Sequence, residues 1–173
     1  MIKKNIIFFV FPIIIYGQSF GISNKSKITY FGYHYTKNWN GFSNKINGEI
    51  FYDSNNNTVN SCSLRVNLPT FDSGNSNRDS NMLTYLEAFI YPYVEFVSND
   101  ISIRGENAQI NGRLTLHGVT IEKNITAKLS LSDGFIASGT FDILLSNYGI
   151  ERPALLFQKI KDEMKIEFKI IGK

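Results

Sequence analysis

From residue 28 onward, apolar and polar residues alternate with a period of two, which is the repeat of a β-strand buried on one face. About eight such stretches follow one another, most of them joined by short turn sequences. The stretches are 28–34, 42–52, 62–68, 94–96, 110–116, 121–131, 135–143 and 164–170. This pattern predicts an all-β fold, with eight antiparallel strands forming a barrel or a sandwich.

One segment departs from the two-residue repeat. Met82, Leu86, Phe89 and Ile90 recur at helical spacing, N-cap residues precede them in 72–75, and Pro92 follows. We expect one amphipathic helix, at about 75–90, that covers one end of the barrel. A second, shorter helical turn is predicted at 153–157, with proline at its first position.

The N-terminal segment has the three parts of a secretory signal peptide. Lys3 and Lys4 precede the apolar run IIFFVFPIIIY, and Gly17 and Ser19 follow as small residues. The run is shorter than the roughly 20 residues that a transmembrane helix needs. Residues 1–19 are therefore predicted to be removed after Gly17 or Ser19, which leaves 20–173 as one soluble domain, exported to the periplasm or secreted.

Composition excludes several classes of protein. The chain is 43% hydrophobic and 19% charged, with 14 Phe and 9 Tyr, which excludes intrinsic disorder. One Cys and two His exclude an intramolecular disulfide and a three-histidine zinc site, so no metal is expected. Lys and Arg are scattered, which argues against nucleic acid as a partner. Removal of Lys3 and Lys4 lowers the net charge from +3 to +1.

Arg78, Asp79 and His117 invite a catalytic interpretation, because general acid–base chemistry uses such ionisable side chains. The structural interpretation is stronger, because Arg78 and Asp79 lie with Asp72 and Asn75 where a helix begins, and His117 lies at the end of a strand. No nucleophile, phosphate-binding or metalloprotease motif is present. We expect no enzyme activity and assign structural anchoring to Asp72, Asn75, Arg78, Asp79 and His117.

Two ordered motifs make the chain recognisable. The sequence DSGNSNRD at 72–79 is followed by a predicted helix and Tyr91-Pro92, and LTLHGVT follows at 114–120. This set resembles the YceI-like family, whose pattern runs D-x-G-N-x-x-R-D, Y-P and L-T-I-H-G-V-T. His34 and Tyr148-Gly-Ile fit as well, so the resemblance spans roughly 27–170.

The resemblance implies an extended, lipocalin-like barrel of eight antiparallel strands. Members are typically exported and carry an isoprenoid, such as a quinone-like molecule, or a similar long-chain lipid inside the barrel. Two residues depart from the family pattern, because Gly32 replaces a branched apolar residue and Trp39 precedes the second strand. Both change the volume of the pocket and leave the identity of the lipid open.

A barrel of this size either fills with side chains or holds one small ligand. Small residues on the inward faces would leave room along the axis: Gly32, Gly48, Gly112, Ala127, Ala137 and Gly139. We expect a long-chain lipid to be bound, with no other cofactor. The predicted lining is Ile28, Tyr30, His34, Phe42, Ile50, Val66, Phe96, Ile110, Leu114, Leu116, Leu129, Phe141, Ile143 and Phe168. The alternative is a filled barrel without ligand that is structural or binds a partner, for example in envelope stress.

Some features carry two interpretations. His34 either binds a ligand headgroup at the barrel mouth or is a buried histidine with partners in the protein. Cys62 faces inward and is expected to be a buried apolar residue rather than a reactive thiol. The aromatic residues around the first strand suit barrel packing or contact with a membrane surface. A peripheral membrane contact and a homodimer are both open.

Overall fold

The computed structural model describes residues 17–53, 55–56, 58–131, 134–155 and 157–173. Within these residues it contains twelve strands, one α-helix and two short 3₁₀ turns. The strands are β1 Gly17–Gly21, β2 Lys27–His34, β3 Lys37–Ser43, β4 Ile46–Asp53, β5 Thr58–Asn67, β6 Tyr93–Arg104, β7 Asn107–Leu116, β8 Val119–Ser130, β9 Ile136–Leu144, β10 Ala154–Leu155, β11 Gln158–Lys159 and β12 Glu163–Ile171. The helix α1 is Ser76–Tyr85, and the 3₁₀ turns are Leu68–Thr70 and Leu145–Tyr148.

Ten of the strands form one antiparallel sheet in the order β1-β4-β5-β6-β7-β8-β9-β12-β2-β3. The sheet curls into a barrel, and the edge strand β3 meets the chain just beyond β5. There the backbones of Phe42 and Asp72 exchange two hydrogen bonds, at 3.0 and 2.9 Å. The prediction of an all-β, antiparallel barrel fold with one helix is therefore confirmed.

The number of strands differs from the eight predicted. The stretch 42–52 is not one strand, because Asn44 and Lys45 separate β3 from β4 and change the phase of the alternation. β1 adds a further strand, paired with β4 from Gly17↔Asp53 to Gly21↔Glu49. The predicted helical turn at 153–157 is wrong, since β10 and β11 form a small hairpin there.

The helix is shorter than predicted, because it ends at Tyr85 rather than near residue 90. Its end has a Schellman motif: the Ala88 N–H donates to Leu83 O at 2.9 Å and the Glu87 N–H to Thr84 O at 3.0 Å. Glu87 takes the left-handed conformation there, with φ of 45°. This turn directs Phe89 and Ile90 away from the helix face on which the predicted stripe placed them.

Antiparallel pairing gives the barrel two different ends. The β2–β3 turn, segment 68–92, the β7–β8 turn and segment 145–162 all lie at one end, which we call the mouth. The opposite end, which we call the closed end, carries the β6–β7 turn and residues 22–26. The core has two corresponding parts, one toward the closed end around Ile50 and Ala127, and one toward the mouth around Leu116 and Tyr148.

The predicted signal peptide lies mostly outside the described residues, since these begin at Gly17. Cleavage after Gly17 would leave four of the five residue pairs between β1 and β4, whereas cleavage after Ser19 would leave two. In the part of the chain that the structure describes, no helix has the length and apolar character needed to cross a membrane.

Candidate functional site

The barrel encloses a cavity of about 610 Å³ that opens at the mouth. Its lining comes from the inward faces of the strands, from one side of α1 and from the connection between β9 and β12. On β7 the lining runs from Leu116 at the mouth to Ala108 toward the closed end. This separation is about 26 Å along a strand, or roughly 20 Å along the axis of a barrel with tilted strands. One extended chain molecule matches this shape.

Thirteen of the fourteen residues predicted to line the interior do line this cavity. They are Ile28, Tyr30, His34, Ile50, Val66, Phe96, Ile110, Leu114, Leu116, Leu129, Phe141, Ile143 and Phe168. The period-two alternation found them because it reports directly which side of a strand faces inward.

Phe42 was predicted wrongly, because it lies on the outer surface of β3. It is 39% exposed, and the Lys27 ammonium lies 4.4 Å from the centre of its ring. The prediction assumed that inward and outward side chains alternate without interruption over 42–52. The break between β3 and β4 reverses this alternation. Trp39, Gly41 and Ser43 face inward on β3 instead.

The sequence suggested that glycines leave room inside the barrel, but the structure shows that they do not. A Cβ on Gly32 would lie 2.3 Å from the Trp39 ring, and one on Gly112 would lie 2.3 Å from the Phe96 ring. Neighbouring aromatic rings therefore occupy these spaces. Gly32 pairs directly with Trp39 across β2 and β3, so the two departures from the family pattern are one feature. Of the six small residues, only Ala137 lines the cavity, and Ala108 lines it as well.

Polar side chains border the cavity at the mouth. They are Lys37 at the start of β3, Asn75, Asn77, Arg78 and Asn81 at the start and on the inner side of α1, Glu95 on β6 and Glu151 beyond β9. The closed half is lined by residues such as Val59, Ala108 and Phe135, which are apolar. A ligand with an apolar tail and a polar head fits this gradient in one direction only, with its tail toward the closed end.

The helix start is stabilised by contacts within its own loop. The Asn75 side chain accepts a hydrogen bond from Arg78 N at 3.0 Å, as an N-cap does. Asp79 accepts from Ser73 N at 3.2 Å, and Asp72 accepts from Gly74 N at 2.7 Å. Arg78 donates from Nε to the Ser73 hydroxyl at 2.9 Å, and its guanidinium lies 5.9 Å from the Trp39 ring. The side-chain hydrogen bonds of Arg78 therefore both go to Ser73 in this loop.

His117 joins three segments at the mouth. Its Nε2 lies 2.9 Å from Glu87 Oε2 at the helix end, and its Nδ1 lies 3.0 Å from Tyr148 O. His117 and Gly118 both have positive φ, 51° and 72°, as a two-residue type I′ hairpin turn requires. Both partners of the ring are hydrogen-bond acceptors, a backbone carbonyl and a carboxylate. These contacts do not bring His117 together with Arg78 and Asp79 as a catalytic group would need.

His34 faces the cavity, but both of its ring nitrogens have partners in the protein. Nδ1 lies 2.8 Å from the Thr36 hydroxyl, and Nε2 lies 3.3 Å from Gln158 O. The carbonyl can only accept, so Nε2 carries the proton. The ring is 4% exposed and ties the β2–β3 turn to the β10–β11 hairpin. Of the two roles left open by the sequence, these contacts favour the buried histidine.

Burial changes two ionisable groups that line the cavity. It raises the pKa of the Cys62 thiol to about 11, which keeps the thiol protonated at neutral pH. It also raises the pKa of Tyr30, and the nearby Asp79 carboxylate acts in the same direction. Neither group is prepared for nucleophilic or base chemistry near neutral pH. Among the described residues, no group of three His, Cys, Asp or Glu could hold a metal ion.

The sequence missed several lining residues on β3, on α1 and in the connection between β9 and β12. They are Trp39, Asn77, Asn81, Tyr85, Ile150, Pro153, Ala154 and Ile160. Met82 and Leu86 of the predicted apolar stripe do face the cavity. Tyr85 could have been found because it lies three residues after Met82, on the same face of the helix. Segment 150–160 has no periodic signal.

Comparison with known proteins identifies relatives over most of the chain. The family model described as the YceI-like domain matches residues 22–171. The protein YceI of Salmonella agona (strain SL483) is 25% identical over 139 residues, which are 73% of each chain. A UPF0312 protein of Vibrio cholerae serotype O1 (strain M66-2) is 29% identical over 137 residues, covering 72% of this chain and 70% of that one.

Solved structures share the fold. BcnA of Burkholderia cenocepacia superimposes with a TM-score of 0.78 at 18% identity, covering 88% of this chain and 99% of that one. A polyisoprenoid binding domain from Saccharophagus degradans gives a TM-score of 0.69 at 14% identity, covering 89% of this chain and 97% of that one. At these identities the similarity establishes the architecture of the barrel.

Proposed function

Because this chain belongs to the YceI-like domain family, we propose that it binds one polyisoprenoid or other long-chain lipid and sequesters or carries it. The observation that carries the proposal is the cavity of about 610 Å³, which is apolar at the closed end and polar only at its mouth. A solved neighbour with this fold is described as a polyisoprenoid binding domain. The lipid would be a ligand rather than a catalytic cofactor.

The cavity argues against a filled barrel without ligand. Side chains do not fill the space inside this barrel, because a cavity of about 610 Å³ remains. An apolar cavity that is left empty lowers the stability of a protein core. Water would fill the closed half poorly, because an ordered water needs two to four polar partners and this lining offers few. An apolar tail removes the problem, and a tail of ten carbons would contribute roughly 8 kcal/mol before association costs.

The direction of the ligand follows from the polar mouth. The tail would lie along Leu116, Ile110 and Ala108 toward the closed end, and the headgroup would remain near Lys37 and Arg78. These two residues supply cationic donors, while the asparagines of α1 can both donate and accept hydrogen bonds. Glu95 and Glu151 also line the cavity and balance these two cations, so the set suits a neutral quinone or amide headgroup.

We further propose that the protein acts after export, in the periplasm or outside the cell. The support is the pattern of residues 1–19, with paired lysines, a short apolar run and small residues. A barrel that shields a lipid is useful where a water-insoluble molecule crosses an aqueous space.

Native mass spectrometry of the protein purified from an exporting bacterium tests the proposal. We expect a discrete extra mass that is lost on denaturation, extracts into organic solvent and fragments as an isoprenoid or acyl chain. A bare protein mass, with no uptake of added quinones or fatty amides, would refute it. A mass near that predicted for 18–173 or 20–173 would establish the processing site at the same time.

A further inference from the structure

The most exposed large apolar side chains of the described residues lie at one end of the barrel. Phe157 is 104% exposed, Phe89 is 102%, Tyr35 is 65% and Ile90 is 64%. All four belong to segments that form the mouth. Apolar residues on the outside of the barrel wall have smaller exposed fractions, all below one half, for example 43% at Phe51. The mouth therefore has an apolar rim, which we define as Tyr35, Phe89, Ile90 and Phe157.

Phe157 is held outward by a constrained turn. Its φ is 65°, a conformation that bulky residues rarely adopt. The turn is closed by the pairing of Leu155 with Gln158, and it is joined to the barrel where Gln158 O meets His34 and Lys161 N donates to Tyr33 O at 2.9 Å. Backbone strain that persists in a well-anchored turn points to a functional role for the residue it presents.

Phe89 and Ile90 reach the rim through a second constrained turn. A helix extended to residue 90 would have continued the apolar stripe of Met82 and Leu86. The left-handed Glu87 ends the helix instead, and its carboxylate lies 2.9 Å from His117 Nε2. Two separate turns with unfavourable φ thus place apolar side chains in solvent at the same end of the molecule.

Cationic residues slightly outnumber acids on the rim beside Phe157. Lys37 lies at the start of β3, and Arg152, Lys159 and Lys161 lie on segment 151–161. Of the acids in this part, Asp162 accepts hydrogen bonds from Ser146 and lies 3.8 Å from Arg152, while Glu151 and Glu163 are exposed. Aromatic side chains combined with lysines are the features by which peripheral proteins bind an anionic lipid surface.

We propose that the mouth of the barrel docks onto an anionic lipid bilayer, with Phe89 and Phe157 inserted among the headgroups and the lysines beside Phe157 facing lipid phosphates. The inference rests on the proposed function, because an insoluble lipid needs a path between bilayer and cavity that avoids water. With the rim in the interface, the opening of the cavity faces the acyl chains directly.

Vesicle co-sedimentation of the protein, purified with its cargo, tests this docking. The vesicles are phosphatidylcholine alone and phosphatidylcholine with about one third phosphatidylglycerol. We expect binding to the anionic vesicles that weakens in high salt. Phe89→Ala and Phe157→Ala should each lower the partition coefficient by about tenfold or more, as expected for withdrawing a phenylalanine from an apolar phase. Phe51→Ala is the matched control, since it removes an exposed phenylalanine from the barrel wall and should leave binding unchanged.

The outcomes separate the docking from the cargo. Failure of the wild-type protein to bind anionic vesicles, or equal binding by all three variants, would overturn the docking, and lipid still found in the protein would leave the proposed function standing. Vesicle binding that depends on Phe89 and Phe157 without any cargo would support the docking and refute the proposed function. Sedimentation that reveals a dimer lost in Phe157→Ala, with no vesicle binding, would assign the rim to a second copy and overturn the proposal. Equal unfolding midpoints verify that each variant is folded.

Discussion

Filling the closed half of the cavity is the sharpest test of where the lipid tail lies. Ala108 and Ala137 line this half from β7 and β9, and they are 3% and 7% exposed. Leucine at both positions adds three carbon atoms at each, which occupy space that the tail would otherwise use. Gly139 is unsuitable for the same purpose, because a Cβ there would lie 2.7 Å from Thr126 O.

The magnitude follows from the number of carbons displaced. Six methylene groups pushed out of the cavity, at about 0.8 kcal/mol each, weaken binding by about 5 kcal/mol. This corresponds to between three and four orders of magnitude in affinity, since about 1.4 kcal/mol is tenfold. We therefore expect Ala108→Leu/Ala137→Leu to be purified without its lipid, or with a shorter one.

The assay compares native and denatured masses, with lipid extraction, and adds urea unfolding of the lipid-free protein. Leucines that enter a real cavity should leave the free energy of unfolding unchanged or raise it. In a closed, filled core they would overpack it and lower that free energy by about 1–3 kcal/mol each. The matched control is Gln109→Leu/Ser138→Leu, which places leucines at the neighbouring, outward-facing positions of the same strands.

Retention of the same lipid at the same occupancy in the folded Ala108→Leu/Ala137→Leu protein would refute the placement of the tail. Loss of lipid in the control pair as well would show that the leucines act through the strands rather than through the cavity. Loss only in the inward-facing pair, with stability preserved, is the expected result.

Three further predictions concern single residues. Tyr148→Phe should raise the free energy of unfolding by about 1 kcal/mol, because the Tyr148 hydroxyl is buried without a hydrogen-bond partner among the described residues; a loss of stability in urea unfolding would contradict this. Cys62 should react with a thiol reagent at pH 8 far more slowly than a free cysteine, because a pKa of about 11 leaves about one thiolate in a thousand; the rate should rise with pH and on removal of the lipid, and rapid labelling of the loaded protein at pH 8 would count against the burial. Asp162→Asn should be less stable than wild type at neutral pH and equal to it in strong acid. Hydrogen bonds from Ser146 hold the pKa of this carboxyl below its ordinary 3.8, so its stabilisation exists above that value and is lost as pH falls through the folded pKa; a difference in thermal midpoint that stays constant down to about pH 2 would refute this assignment.

Much of the site was accessible from the sequence, because its lining lies mostly on regular strands. Residues such as Leu114 and Leu116 alternate with polar neighbours, so their inward direction follows from backbone geometry alone. The error at Phe42 came from one irregularity, the two-residue break between β3 and β4, which the residue types there do not predict. The helix likewise lost a turn because Glu87 adopts a positive φ, which sequence rules assign to glycine or asparagine.

The sequence by itself determined the class of fold, the order of most strands, the existence of the helix and the apolar character of the interior. These depend on local periodicity, which each segment carries independently of its neighbours. Only the tertiary structure decided where space remains inside the barrel. Gly32 and Gly112 looked like open positions, yet rings from neighbouring strands fill them, while Ala108 and Ala137 border the cavity. Side chains from neighbouring strands fill the same space, so a void depends on how the whole sheet is assembled. The position of Phe89 and Phe157 on one rim depends on the tertiary structure in the same way.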